Sequence, residues 1–413
     1  MQSKDSTFPR QTPNRSLPGS LEVTILFTAF IAATYGFGIY LFSALIPDMR
    51  KELGFDYSMV GYATGGVQAG FLSFAFLSGV LAPRLGMKRT VLLSVFLTAV
   101  CLVLMPFIHT AKHLLVLLVL MGGAAASVWV PMVAVAKRMV SQAHLGKALG
   151  LMSSGTAYGI FLNGLILPVV LPAYGWRSVW LVVGLLTLGL AGWAAYRMGV
   201  SDPSDRHARS VAPSSHGTDW TVLKSPQTIA VWGMTFLNGL SCMPVQNYVA
   251  AMLREQLGYS VGQVAQLVGV NGVVGMVSGV LIGALADRIT VKWAMVVTYA
   301  ILSVAAACFW WHTGPVVLLV GTVAFGIAFY AIFGLVPAYV GGLFSPAQAT
   351  TIFGIGNVLL GVGGLIGNFV GGMSKQMTGN FDSLFGLVLG ASLLTLLLSL
   401  LMGNERRATR PRT

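Results

Sequence analysis

A small set of neutral polar and aromatic side chains sits deep inside long apolar runs of this 413-residue sequence: Tyr35, Gln68, Trp129, Tyr158, Asn163, Asn238, Gln246, Asn247, Asn271, Tyr330 and Asn357, with Asn368 in the same setting. Their chemistry is hydrogen bonding and stacking. A carboxamide donates and accepts, a phenol does the same from an aromatic body, and an indole adds one donor. No Asp, Glu, Lys or Arg falls near the middle of a run; Glu22, Asp48, Lys137, Arg177 and Arg197 all lie near run ends. This argues against a buried proton-relay carboxylate and, with no nucleophile or acid pair at depth, against an enzyme. Cys101, Cys242 and Cys308 stand singly in apolar stretches, with no Cys-x-x-Cys spacing and no nearby His pair. They read as core residues, so neither a disulfide, a metal site nor a cofactor is expected. His109, His113 and His312 lie at run ends, where interfacial residues sit.

The elements that hold these residues follow from composition. The chain is 55% hydrophobic and 9% charged, with a mean hydropathy of +0.79, too apolar for a water-facing surface. A bilayer core needs about 20 apolar residues per helix. Such runs fall near 22–47, 58–82, 90–109, 113–136, 148–172, 178–199, 227–251, 261–286, 293–311, 315–339, 348–373 and 382–403. The connections are short and turn-like, as in PDMRKELGFD at 47–56 and PAYGWR at 172–177. The exception is polar 201–225, which divides a first half, 22–200, from a second, 226–403, with tails at 1–21 and 404–413. The first tail is polar and proline-rich, and the run after it lacks a small-residue cleavage site, so it does not read as a signal peptide. Nineteen of the 25 Lys and Arg residues fall on the side of the two tails, which predicts that both termini are cytoplasmic. Although the net charge is +13, the basic residues are scattered among short loops, so no nucleic-acid partner is expected.

The halves repeat. GVLAPRLGMKR at 79–89 and GALADRITVKW at 283–293 close corresponding spans 204 residues apart. At the same offset ELGFDYS (52–58) and QLGYS (256–260) align Leu53 with Leu257, Gly54 with Gly258 and Phe55 with Tyr259. GTAYGIFLNG from Gly155 and G-x-x-x-G-N-F-V-G-G from Gly363 form a third pair, offset by 208. The paired loops resemble the signature loops of the major facilitator superfamily, and GWR at 175–177 is also similar to that family. The resemblance implies an all-α integral membrane protein with twelve transmembrane helices in two six-helix, pseudo-symmetric halves, rocking about a midplane site. It implies cytoplasmic gating loops containing Gly79, Arg84, Gly86, Lys88, Arg89, Gly283, Asp287 and Arg288. Spans one, four, seven and ten would line the cavity, making Tyr35, Trp129, Asn238 and Tyr330 first choices. Gln246, Asn247 and Tyr248, just after Pro244, would contribute to an outer gate, with a further kink near Pro131.

Three departures qualify the resemblance: Pro83 where the second loop has Asp287, Leu118 at the family's Arg position in span four, and Ile160 at the proline position of antiporter span five. They argue against a drug/proton antiporter and predict that the second loop carries more of the electrostatic contact between halves. The stretch YGFGIYLFSALIPDMRKELG is similar to bacterial carriers of small organic acids. With no buried Arg or Lys, an anionic solute would rely on helix dipoles and Tyr, Asn or Gln donors. Each polar residue also has a packing explanation, since Asn and Gln commonly bond a neighbouring membrane helix. The expected function is alternating-access transport of a small organic solute by a monomer in a bacterial-type cytoplasmic membrane, with proton or other ion coupling open. A transport-inactive sensor or scaffold and a multidrug-type exporter are the alternatives.

Overall fold

A computed structural model describes residues 20–140, 142–198 and 223–404. Nearly all of the first tail and of the central connection, and most of the second tail, lie outside the described residues. Among the described residues there are only helices and short turns. Among the described residues eleven helices are long and apolar enough to cross a membrane, and one of them, Ala148–Met198, has 51 residues. At 1.5 Å per residue that is about 76 Å, more than twice a bilayer core. Gly175 breaks it, with φ 76° and ψ 173°, so it crosses twice and the expected twelve spans are present.

The spans are α1 (Leu21–Leu53), α2 (Tyr57–Leu85), α3 (Met87–Phe107), α4 (Ala111–Met139), α5 (155–174), α6 (176–198), α7 (Pro226–Gln256), α8 (Val261–Ile289), α9 (Val291–Trp311), α10 (Pro315–Leu343), α11 (Pro346–Thr378) and α12 (Asp382–Leu401). A short helix, Gln142–Ser153, leads into α5. Ser260 with Gln263 and Ser345 with Gln348 form reciprocal capping boxes that start α8 and α11.

Two connections read from the sequence are helix instead. Pro47 does not end α1, which continues to Leu53. A proline removes only one ladder bond, and here Ile46 and Met49 are buried while Asp48 and Arg50 find partners on α7. The stop is Gly54, left-handed at φ 67°, whose N–H returns to the Arg50 carbonyl at 3.0 Å. PAYGWR is likewise helical apart from Gly175. Its Trp176 indole donates to Glu52 at 2.6 Å, and Arg177 pairs with Glu52 and donates to the Pro106 carbonyl at 2.9 Å.

Glycines set the closest approaches between helices. A Cβ at Gly155 would lie 2.4 Å from the Thr28 oxygen and one at Gly159 2.4 Å from that of Ala32, so α5 packs directly on the α1 backbone. In the second half, a Cβ at Gly363 would lie 2.1 Å from the Phe236 oxygen and one at Gly367 2.8 Å from that of Leu240. Adding 208 to every member of the first contacts gives the second, so the sequence repeat is also a repeat of helix packing. The halves meet the same way: a Cβ at Gly372 of α11 would be 2.4 Å from the Tyr57 oxygen of α2, and one at Gly164 of α5 2.9 Å from the Ala265 oxygen of α8. Without a hydrophobic drive between helices in lipid, such close backbone contact is what holds them.

Candidate functional site

The middle of α1 is wound as a π-helix over Ala32–Tyr40. Its i→i+5 pattern brings residues five apart to nearly the same face, so Tyr35 and Tyr40 both turn inward. Asn163 of α5 packs against this turn, its Nδ2 donating to the Gly36 oxygen at 2.8 Å. Gly36 admits this approach because a Cβ there would be 2.4 Å from the Gly159 Cα.

Aromatic rings extend from these two tyrosines. Tyr35 stands edge-on to Trp129 and Phe71, with centroids 6.0 and 6.2 Å away. Tyr40 stands edge-on to Phe329 of α10 at 6.2 Å, and Phe329 in turn meets Tyr330 at 5.0 Å and stacks on Phe325 at 5.2 Å. Three of the four first choices, Tyr35, Trp129 and Tyr330, therefore belong to two aromatic walls joined through α1. The Tyr330 hydroxyl is buried without a hydrogen-bond partner.

Beside these walls lies a narrow cavity with about 50 Å³ of free space, lined among others by Tyr40, Ser43, Asn163, Gln246, Asn271 and Thr322. Five spans, α1, α5, α7, α8 and α10, supply those six residues. Asn163 is 2% exposed and Asn271 8%. The Oδ1 atoms of both and the Oε1 of Gln246 are buried with no partner. A buried carboxamide oxygen left unpaired costs about 1–3 kcal/mol, so three at one cavity form a surface built to receive a donor.

The remaining candidates lie elsewhere. Asn238 turns to α9, donating to the Tyr299 hydroxyl at 2.9 Å. Asn247 donates to Asn368 of α11 at 2.9 Å, and Tyr248 to the Asn368 carbonyl at 2.7 Å. Asn357 bonds its own helix at Phe353, 3.0 Å away. Gln68 is buried against α11, 3.5 Å from a Cβ built on Gly364. Tyr158 is half-buried on α5, next to Gly159.

At the end of the bundle opposite the tails, α1 and α7 are joined across the halves by two ion pairs. Arg254 pairs with Asp48, its second contact at 3.1 Å, and Arg50 pairs with Glu255 at 3.3 Å. Arg50 also lies over the Tyr57 ring at 4.8 Å, and the Tyr57 N–H donates to Gln376 of α11 at 3.2 Å. Reading by depth in the membrane passed over this closure because its charges lie at run ends. The available signal was the opposite charge order of Asp48–Met49–Arg50 and Arg254–Glu255 at corresponding helix ends.

Residues 28–368 and 231–413 match the family model described as Major Facilitator Superfamily. The chain belongs to that superfamily. It is 24% identical over 392 residues to a probable sulfoacetate transporter of Cupriavidus necator, covering 85% of this chain and 87% of the relative. It is also 24% identical over 403 residues to a gallate transporter of Pseudomonas putida, covering 88% of each. The fold is similar to the solved nucleoside transporter NupG, with a TM-score of 0.73 at 14% identity over 93% of this chain and 98% of that one. As a superfamily member with such relatives, the chain is a membrane transporter of a small organic solute and not an enzyme.

The paired loops at 79–89 and 283–293 lie at the end of the bundle where α1 begins and α12 ends. Gly79 is within α2, Arg84 and Arg89 are exposed, Lys88 is half-buried, and Gly86 takes φ 94°. In the second loop Gly283 is half-buried, Asp287 and Arg288 are exposed, and Thr290, which matches Gly86 at the 204 offset, takes φ 118°. Among the described residues no group of His, Cys, Asp and Glu is placed to hold a metal ion.

Proposed function

We propose that this transporter carries a small organic acid through the interface of its halves, 22–200 and 226–403, by alternating access as a monomer. The observation that carries this reading is the convergence of Asn163, Gln246 and Asn271, each with an unpaired carboxamide oxygen, on one cavity between the halves. The aromatic walls beside it suit a flat or apolar body, and the carboxamides suit a polar head. The two relatives named for sulfoacetate and gallate point the same way, since both compounds carry a carboxyl group. The basic bias of the tail end supports an orientation with both termini cytoplasmic. In that orientation the ion pairs of α1 and α7 form the outer gate and the signature loops the inner one, and the present state is closed to the outside.

Uptake of radiolabelled gallate and benzoate into proteoliposomes tests the reading. Saturable uptake above protein-free vesicles is expected, lowered about tenfold by Tyr35→Ala or Gln246→Leu, the size of one lost buried contact. Binding without movement of either acid would favour the transport-inactive sensor instead. Neither binding nor movement would remove the organic-acid assignment.

A further inference from the structure

We infer that the far rim of the bundle holds a second site, distinct from the central cavity, in which Arg50, Tyr57 and Lys375 take a carboxylate, and that Glu255 fills it from within while the far end is closed. This rests on the organic-acid reading above and adds a place where the solute docks before it enters.

The surroundings of Glu255 are the first reason. Arg50 of α1 donates to both of its carboxylate oxygens, at 3.3 and 3.5 Å. The Tyr57 hydroxyl of α2 and the Lys375 ammonium of α11 lie within electrostatic reach of the same carboxylate. Both cations also approach the Tyr57 ring, Arg50 at 4.8 Å and Lys375 at 5.8 Å from its centroid. Three helices thus set two cations and a phenol around one acid. The acids nearby are engaged with other groups: Asp48 with Arg254, Asp382 with Gln256 at 2.8 Å, and Asp56 with the Met59 N–H at 3.0 Å.

The loose fit of Glu255 is the second reason. A well-made bond between an ionised donor and a carboxylate is about 2.7–2.9 Å long, and elsewhere in the chain Arg197 holds Glu22 at 2.7 Å. Both contacts of Glu255 are longer. The Arg50 Nε and the Tyr57 hydroxyl are buried with no hydrogen-bond partner, and Tyr57 is only 3% exposed. A buried donor left unpaired is costly, and Glu255, tethered to α7, does not satisfy these two. A free carboxylate has the same two acceptor oxygens without the tether.

Position is the third. None of Arg50, Tyr57, Glu255 and Lys375 lines the central cavity. Arg50 lies six residues past Ala44, the last residue of α1 in that cavity, or about 9 Å further out. One carboxyl group therefore occupies one site or the other. Arg50 and Tyr57 belong to the first half and Glu255 to the second, so rocking the halves apart at this end withdraws Glu255 from both. A guanidinium and a phenol are then left for a solute carboxylate, which competes with Glu255 for the same donors and so delays closure.

Calorimetry of the purified full-length protein with benzoate as the probe tests this. Glu255→Gln removes the internal carboxylate and keeps its shape, and should tighten benzoate binding about three- to fivefold, the competition that one partly exposed ion pair exerts. The gain should persist when Gln246→Leu weakens the central cavity, and should vanish when Arg50→Gln is added. Tyr57→Phe and Lys375→Gln should each reduce it, and benzyl alcohol, which has the ring without the charge, should show none. Arg254→Gln breaks the other ion pair of this end without clearing the site, and should bring no gain. An equal gain in Arg254→Gln would show that opening alone is responsible and would overturn the site, as would a gain that survives Arg50→Gln. Glu255→Asp, one methylene shorter, should give a smaller gain of the same kind, and serves if Glu255→Gln does not fold. Benzoate uptake into proteoliposomes is read separately. Uptake by the unmodified protein with no gain in either Glu255 variant would remove the rim site and leave organic-acid transport standing, whereas the gain without uptake would do the reverse.

Discussion

At Thr290 a β-branched residue holds φ 118°, in the loop position where the first half has Gly86 at φ 94°. Positive φ at a β-branched residue costs about 1–3 kcal/mol. The Thr290 hydroxyl does cap α9, accepting from the Trp293 N–H at 3.5 Å, but exchanging a Thr cap for Gly costs only a few tenths of a kcal/mol. The strain is the larger quantity, so Thr290→Gly should raise the unfolding temperature in detergent, by about 1 kcal/mol of added stability. Asp56 shows the opposite economy. Bonds from the Met59 N–H, at 3.0 Å, and from Ser58 hold its carboxyl below the usual carboxylate range. A lowered folded pKa means the stabilisation is present above the unfolded value and is lost as pH falls through the folded one. Asp56→Ala should therefore destabilise by about 1 kcal/mol at neutral pH and by less in acid, whereas Asp56→Asn keeps the cap without the pH dependence; thermal melts across pH separate the three proteins. Individual residues were unevenly legible. Depth in the membrane singled out Asn163 and Asn271, and the cluster after Pro244 singled out Gln246, but depth says nothing about rotation, and Asn238 turns instead to Tyr299. Tyr40 was missed because α-helical spacing puts it on a different face from Tyr35, and π winding leaves no mark in composition.

Between elements, glycine is of two kinds, and only the structure tells them apart. A Cβ on Gly239 of α7 would come within 1.9 Å of the Leu360 oxygen of α11, whereas one on Gly189 of α6 would meet nothing within 4 Å. Gly239→Ala must push two backbones apart and should cost about 1–3 kcal/mol. Gly189→Ala gains helix propensity of up to about 1 kcal/mol and should leave the melting temperature equal or higher. Equal behaviour of the two variants in a thermal melt would refute close packing as the role of Gly239. The number of spans was readable because about 20 apolar residues are obligatory per crossing, and the repeat because corresponding contacts need corresponding glycines. The far end of α1 was not. Pro47 and the charges after it have the composition of a loop, and what keeps them helical is a partner helix more than 200 residues away in sequence.

For the whole molecule the question is how firmly the far end is closed. The pairs Asp48–Arg254 and Arg50–Glu255 keep 17–35% of their side-chain surface exposed, so each is worth about 0.5–1 kcal/mol. Together they bias the closed state by roughly tenfold, which favours closure without locking it. A transporter needs that balance, since each cycle must break the gate. Reversing one charge changes the sign of the interaction: Arg254→Glu sets a third carboxylate beside Asp48 and Glu255. The shift should reach about 2 kcal/mol, or roughly thirtyfold toward the open far end. A reporter is available in Ser43, which lines the cavity and is buried. In a Ser43→Cys background that keeps the gate, a membrane-impermeant maleimide added from the far side should label slowly. Adding Arg254→Glu should speed labelling by tenfold or more, and adding Asp48→Arg as well should slow it again by restoring an opposite-sign pair. Unchanged labelling in the single reversal would mean that packing of α2 on α11 and of α5 on α8, and not charge, closes the far end. Rescue by the second reversal is the decisive arm, because it separates a specific pair from a general loss of fold.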